Sequence, residues 1–122
     1  MNYSKPKFKD KYENFINGKF IAPPDGQYFE NTSPIDSSYI AKYPRSQKED
    51  VELALDAANA AKESWGNTSA TERATLLNKV ADIIEANLEE FALVETCDNG
   101  KPIRETLNAD VPLSVDHWRY FA

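Results

Sequence analysis

Apolar and polar positions change period once along this chain. Up to Tyr43, apolar residues come in short alternating runs broken by turn residues; from Ser46 they recur every three or four positions. The first regime predicts short strands. Asn14-Phe15-Ile16 and Lys19-Phe20-Ile21 flank Asn17-Gly18, two residues that accept positive φ, so the segment predicts a hairpin closed by a type I′ turn. Pro23-Pro24-Asp25-Gly26 predicts a second turn and Gln27 to Asn31 an extended piece. Ser33-Pro34-Ile35-Asp36-Ser37-Ser38 predicts a third turn, before a strand at Tyr39-Ile40-Ala41-Lys42-Tyr43.

The second regime predicts helices. Ser46-x-x-Glu49 reads as a capping box, with the serine oxygen taking an orphan N–H and the glutamate reaching back to the cap's own N–H. Val51, Ala54, Leu55, Ala58, Ala61 and Trp65 then share one face, expected to be buried, and Gly66-Asn67 stops the helix. Ser69-x-x-Glu72 is a second capping box, followed by the stripe Leu76, Leu77, Val80, Ile83, Ile84 and Leu88. Asn87-x-x-Glu90 restarts the helix at an angle, with Phe91 and Val94 continuing inward.

Asn99-Gly100 supplies the left-handed residues of a helix C-terminus, and Pro102 suits the first turn of the next helix. That last helix places Ile103, Leu107, Val111, Ser114, Trp118 and Phe121 on one broad face, and Pro112 inside it predicts a kink near Asn108. The stripe is still running at Ala122, with no cap or polar tail, which predicts that the helices were made to cover a sheet lying further along a longer chain. The fold class expected is α+β, mostly helical with short N-terminal hairpins: a flexible basic arm at 1–13, hairpins and turns at 14–45, helices at 46–122.

Composition narrows the function classes. The chain has 122 residues, 41% hydrophobic and 28% charged, which suits a soluble globular domain. It lacks an apolar run long enough for a membrane helix and an N-terminal signal core, so neither a membrane partner nor secretion is expected. One cysteine fits a reducing compartment, and the chain is read as cytoplasmic. The Asn-x-Ser/Thr matches at Asn2, Asn31 and Asn67 then carry no weight. A net charge of −6 argues against nucleic acid, and Lys5, Lys7, Lys9 and Lys11 read as a solvated arm.

Little chemistry shows in the residues themselves. His117 is the only histidine and has no nucleophile motif beside it, so it reads as packed or capped. Trp65 and Trp118 lie on apolar stripes and read as core. There is no metal-ligand spacing and no phosphate-cradling glycine loop; Gly18, Gly26, Gly66 and Gly100 each sit at a turn.

Glu95-Thr96-Cys97-Asp98-Asn99-Gly100-Lys101-Pro102 resembles the ET-x-D-x-GKP segment of the NAD(P)-dependent aldehyde dehydrogenases. Asn14-Phe15-Ile16-Asn17-Gly18-Lys19-Phe20 resembles their NFI-x-G-x-F/W opening. Glu49-Asp50-Val51 with Ala54-Leu55-Asp56-Ala57-Ala58, and Glu72-Arg73 with Lys79-Val80-Ala81-Asp82, look like the family's first two helices. Pro102 to Thr106 and Asp116 to Ala122 are similar to its acetaldehyde dehydrogenase branch. Family members usually carry glycine where Ser37 stands, and serine is strained there if φ is positive.

The resemblance implies the front part of the family's α/β fold, in the NAD(P)-binding domain. It implies oxidation of a small aliphatic aldehyde to the acid with NAD or NADP, in a homo-oligomer. A cysteine thiolate would attack the carbonyl, an asparagine and a backbone N–H would hold the oxyanion, and a glutamate would activate water. All of these groups would lie beyond Ala122, so no catalytic or cofactor-binding residue is expected within the chain, which alone would be inactive. Cys97 occupies the variable position of the motif, at a helix C-terminus beside Asp98, and is read as packing. Asp98, with the carbonyls of Asn31 and Thr32, matches a site that holds a structural monovalent or alkaline-earth cation in many members; alternatively Asp98 bonds the Asn99-Gly100-Lys101 backbone as a turn former. The rival reading is a free-standing helical interaction domain or regulator that binds through the stripe ending at Trp118 and Phe121.

Overall fold

The computed structural model describes residues 3–122; Met1 and Asn2, and with them the Asn2 match, lie outside the described residues. The chain divides into two compact units, one of Phe8–Thr32 and Tyr39–Asn67, the other of residues 3–7, Ser33–Ser38 and Thr68–Ala122.

In the first unit, β1 (Asn14–Ile16) pairs antiparallel with β2 (Lys19–Ile21), with Phe15 opposite Phe20 and their rings 5.1 Å apart. Asn17 and Gly18 have φ of +50° and +75°, the two left-handed residues that a type I′ turn needs. The Pro23 carbonyl accepts the Gly26 N–H at 2.9 Å, closing the second turn. β3 (Tyr28–Thr32) pairs antiparallel with β4 (Tyr39–Pro44), with a register shift between Asn31 and Thr32. The end of the basic arm runs along β4: the Tyr12 N–H donates to the Lys42 carbonyl and the Lys42 N–H to the Asp10 carbonyl, both at 2.9 Å. Ile40 and Ala41 form the unit's small apolar core.

α1 (Lys48–Gly66) starts one residue later than its capping box predicted. Gln47 is the N-cap, and its N–H donates to Asp50 Oδ2 at 2.8 Å. The Ser46 hydroxyl is engaged elsewhere, accepting from Asn14 Nδ2 at 2.9 Å. Asn14 Nδ2 also reaches Asp50 Oδ1 at 3.1 Å, so the one buried carboxylate of α1 is satisfied and the helix start is tied to β1. The apolar stripe of α1 is not buried: Val51, Leu55 and Trp65 are all about half exposed. Periodicity identifies the face a helix would bury; it carries no information on whether a covering element is at hand.

In the second unit, α2 (Ala70–Ala86) packs against α5 (Val111–Phe121), and α3 (Leu88–Asn99) follows α2 after Asn87. The Ser69 box forms as expected. Glu72 N–H donates to Ser69 Oγ at 3.2 Å, and Ser69 returns its N–H and hydroxyl to Glu72 Oε2 at 3.0 and 2.7 Å. The broad apolar stripe of α2 is only partly used: Leu77, Val80, Ile84 and Leu88 are half-buried, Leu76 and Ile83 face solvent, and the fully buried residue is Ala81, outside the stripe. Asn87 does interrupt the helix, and its side chain turns back to donate to the Ile83 carbonyl at 2.8 Å.

The predicted kink takes a specific form. α4 (Ile103–Glu105) runs into a π-turn over Thr106–Asp110, in which the Val111 N–H donates to the Thr106 carbonyl five residues back. The wider turn precedes Pro112, which has no N–H to offer Asn108 and whose ring would crowd that carbonyl in an α-helix. It also inserts one residue into the helical phase. The buried side chains are Thr106, Val111 and Val115, spaced five and then four apart. Val111 is buried as its place on the predicted face requires, but beyond it Val115 is core, while Trp118 and Phe121 are exposed. Arg119 ties α5 to α2 from outside through Asp82 (2.8 Å) and Glu85 (2.6 Å), an exposed contact that sets register more than stability.

The turn at Ser33–Ser38 closes with Ser33 N–H to Ser38 carbonyl and Ser37 N–H to Ser33 carbonyl, both 2.8 Å. Ser37 has φ +59°, so the strain anticipated for a non-glycine residue is present. Ser37→Gly is expected to stabilise the fold by about 1 kcal/mol in urea denaturation, and a destabilising effect would contradict this. The Ser69 hydroxyl, and then its N–H, hold the Glu72 carboxyl below the usual glutamate range. Its stabilising effect is then present above that range and lost as pH falls through the lowered folded value. Glu72→Gln, which keeps the hydrogen bonds, should melt below the wild type near neutrality and converge with it in acid; a constant gap across the titration would contradict the assignment.

Candidate functional site

The helical corner of the second unit is built from local rules. The Gly100 N–H donates to the Thr96 carbonyl at 2.9 Å, and Gly100 takes φ +78°. A Cβ there would also lie 3.0 Å from Pro34 Cγ, so glycine is required both for conformation and for close approach. The Lys101 N–H is accepted by Asn99 Oδ1 at 2.8 Å. The turn-forming role considered for Asp98 thus falls to its neighbour Asn99 at that amide. Pro102, with φ −58°, is the N-cap of α4 rather than its first residue.

Beyond the corner lies an open groove of about 460 Å³. Leu77, Leu113, Trp118 and Phe121 supply its apolar walls, and Glu95, Lys101, Asp110, Ser114 and His117 its polar ones. Lys101 Nζ sits 2.5 Å from Asp110 Oδ2. That hydrogen bond first, and the negative charges of Asp110, Glu95 and Glu105 after it, push the lysine further above its usual range. Lys101 is accordingly an ammonium throughout the physiological range, able to pair with an anion and unsuited to act as a nucleophile. The groove combines apolar and aromatic surface with fixed charge.

His117 is exposed on the groove wall, which corrects the packed reading; Trp65 and Trp118 are likewise only partly covered rather than core. Cys97 is half-buried and lines a small cavity with Leu93 of its own helix and Ser33, Ile35 and Ser38 of the neighbouring turn, a packing position. The three residues matched to a cation site fall in different units: Asp98 near the end of α3, Asn31 and Thr32 at the bulged end of β3. Among the described residues there is no cluster of three or more His, Cys, Asp or Glu side chains able to hold a metal. No described helix is long and apolar enough to cross a membrane. Sequence reasoning missed the groove's charged wall. Lys101 and Asp110 are nine residues apart, and only the corner and the π-turn together bring them into contact.

The aldehyde dehydrogenase family model matches residues 20–122. The chain is 59% identical over 119 residues to the long-chain-aldehyde dehydrogenase of Acinetobacter sp, and 58% identical over 115 residues to the acetaldehyde dehydrogenase of Pseudomonas aeruginosa. These alignments take in 98% and 94% of this chain, and 24% and 23% of those proteins. Among solved structures, the NAD+ complex of aldehyde dehydrogenase from Bacillus cereus superposes with a TM-score of 0.86 at 38% identity, over 90% of this chain and 23% of that one. The chain thus spans about a quarter of the length of the relatives it matches. Its mostly helical fold, with two short antiparallel strand pairs and the Glu95-to-Pro102 corner, is a quarter of theirs, and the chain belongs to the aldehyde dehydrogenase family.

Proposed function

We propose that this chain is the N-terminal part of an NAD(P)-dependent aldehyde dehydrogenase that works in the cytoplasm as a homo-oligomer and oxidises a small aliphatic aldehyde. The reaction takes aldehyde, water and NAD(P)+ to carboxylic acid, NAD(P)H and a proton. The observation that carries this reading is the family match over residues 20–122, aligned to only about a quarter of each relative. The Pseudomonas aeruginosa relative, named for acetaldehyde, supports a small substrate, and the Bacillus cereus complex supports NAD.

In this reading the thiolate, the oxyanion-holding asparagine and the water-activating glutamate come from chain beyond Ala122, and the 122 residues supply scaffold. The cation set Asp98, Asn31 and Thr32 belongs to the same reading and rests on the resemblance. A second reading, a free-standing interaction domain, draws on the stripe ending at Trp118 and Phe121, which are 38% and 75% exposed; it requires the 122-residue chain to be a monomer with a cooperative melt.

The test is aldehyde-dependent NAD(P)H formation with acetaldehyde, by the full-length protein and by the 122-residue chain in parallel. Turnover by the former and none by the latter is expected. Turnover by the short chain, or a full-length protein inert toward every aliphatic aldehyde, would overturn the proposal.

A further inference from the structure

Thr106 is fully buried, and its hydroxyl makes two hydrogen bonds, to the Ile103 carbonyl at 3.1 Å and to Thr96 Oγ1 at 2.9 Å. A carbonyl can only accept, so Thr106 donates to Ile103 and must accept from Thr96. This single arrangement fastens the first residue of the π-turn to α3. Its last residue, Asp110, is fastened to the corner by the 2.5 Å contact with Lys101. Between them the Asn108 side chain donates to the Arg104 carbonyl at 2.8 Å, occupying an acceptor at the point where the backbone leaves α-helical spacing.

The spacing of the buried residues shows what these fastenings control. On a regular α-helix, residues five apart point about 140° away from one another. Thr106 and Val111 are five apart and both buried, so the π-turn supplies the missing rotation. The setting of α5, with Val111 and Val115 inward and Leu113, His117 and Trp118 on the groove wall, depends on that turn. Single π-turns of this kind are frequent at functional sites.

We propose that Thr96–Thr106 and Lys101–Asp110 form a two-point clasp that holds the π-turn and thereby sets which face of α5 is presented to the groove. Lys101 and Thr106 are its positioning residues. The inner point is buried and directional, and the outer one is a charged contact at the groove rim. Loss of either lets the turn open locally, since Pro112 bars regular α-helical spacing there, and loosens the setting of α5, while α2 keeps its own hydrogen bonds. The clasp stands on these contacts alone and is independent of which reaction the protein performs.

The test is amide hydrogen exchange, resolved by peptide, on the full-length protein carrying Lys101→Met, Lys101→Arg or Thr106→Val. Exchange across residues 104–113 should quicken about tenfold in Thr106→Val, which loses a buried hydrogen bond, and about threefold in Lys101→Met, with peptides of α2 unchanged. Lys101→Arg keeps the ion pair and should retain wild-type protection. Unchanged exchange at 104–113 in both disruptive variants would overturn the clasp. So would acceleration spread evenly over α2 and α3, which would make these contacts ordinary contributors to stability. Should Thr106→Val fail to fold, the comparison of Lys101→Met with Lys101→Arg decides alone, since Lys101 is exposed.

Discussion

The close approach of Pro34 to Gly100 is the constraint on which the helical unit depends. A left-handed residue must end α3, and no side chain fits between it and the proline ring. With both conditions met, the Thr96 carbonyl accepts the Gly100 N–H, Asn99 takes the Lys101 N–H, and the chain leaves the corner in one direction. Lys101 is then placed to meet Asp110, and Thr96 to meet Thr106. The π-turn, the rotation of α5 and the shape of the groove all follow. A side chain at residue 100 would therefore disturb contacts reaching as far along the chain as Asp110.

How much was legible in the sequence depends on the range of the interaction concerned. The Asn17-Gly18 hairpin, the Ser69–Glu72 box and the Gly100 stop are decided by residues within a few positions, and each forms as read. Ser46 failed as a cap because its hydroxyl is claimed by Asn14, 32 positions earlier, which no local pattern reveals. The face of α5 was only partly legible: Val111 is buried as read, while Val115, outside the predicted stripe, is core and Phe121 is exposed. For α1 the face was legible and its exposure was not, because amphipathicity describes one surface of a contact.

Function was legible in a different way. The family showed through several weak anchors in the right order, from Asn14-Phe15-Ile16 to the Gly100 corner. The groove's charged wall was hidden because its members come from the end of α3, the corner and the π-turn. Its chemistry is an ammonium held by Asp110 beside aromatic rings. The chain matches the family along most of its length, yet only a quarter of each relative, and the proposal that it is the scaffold of a longer enzyme rests on that proportion.

The most direct test of that claim is the intact mass of the native product in its source cells, captured with an antibody against residues 69–100. A species several times heavier than 13.8 kDa, active on an aldehyde with NAD(P)+, is predicted. A native species of 13.8 kDa would contradict it and leave the aldehyde dehydrogenase family as this chain's ancestry alone.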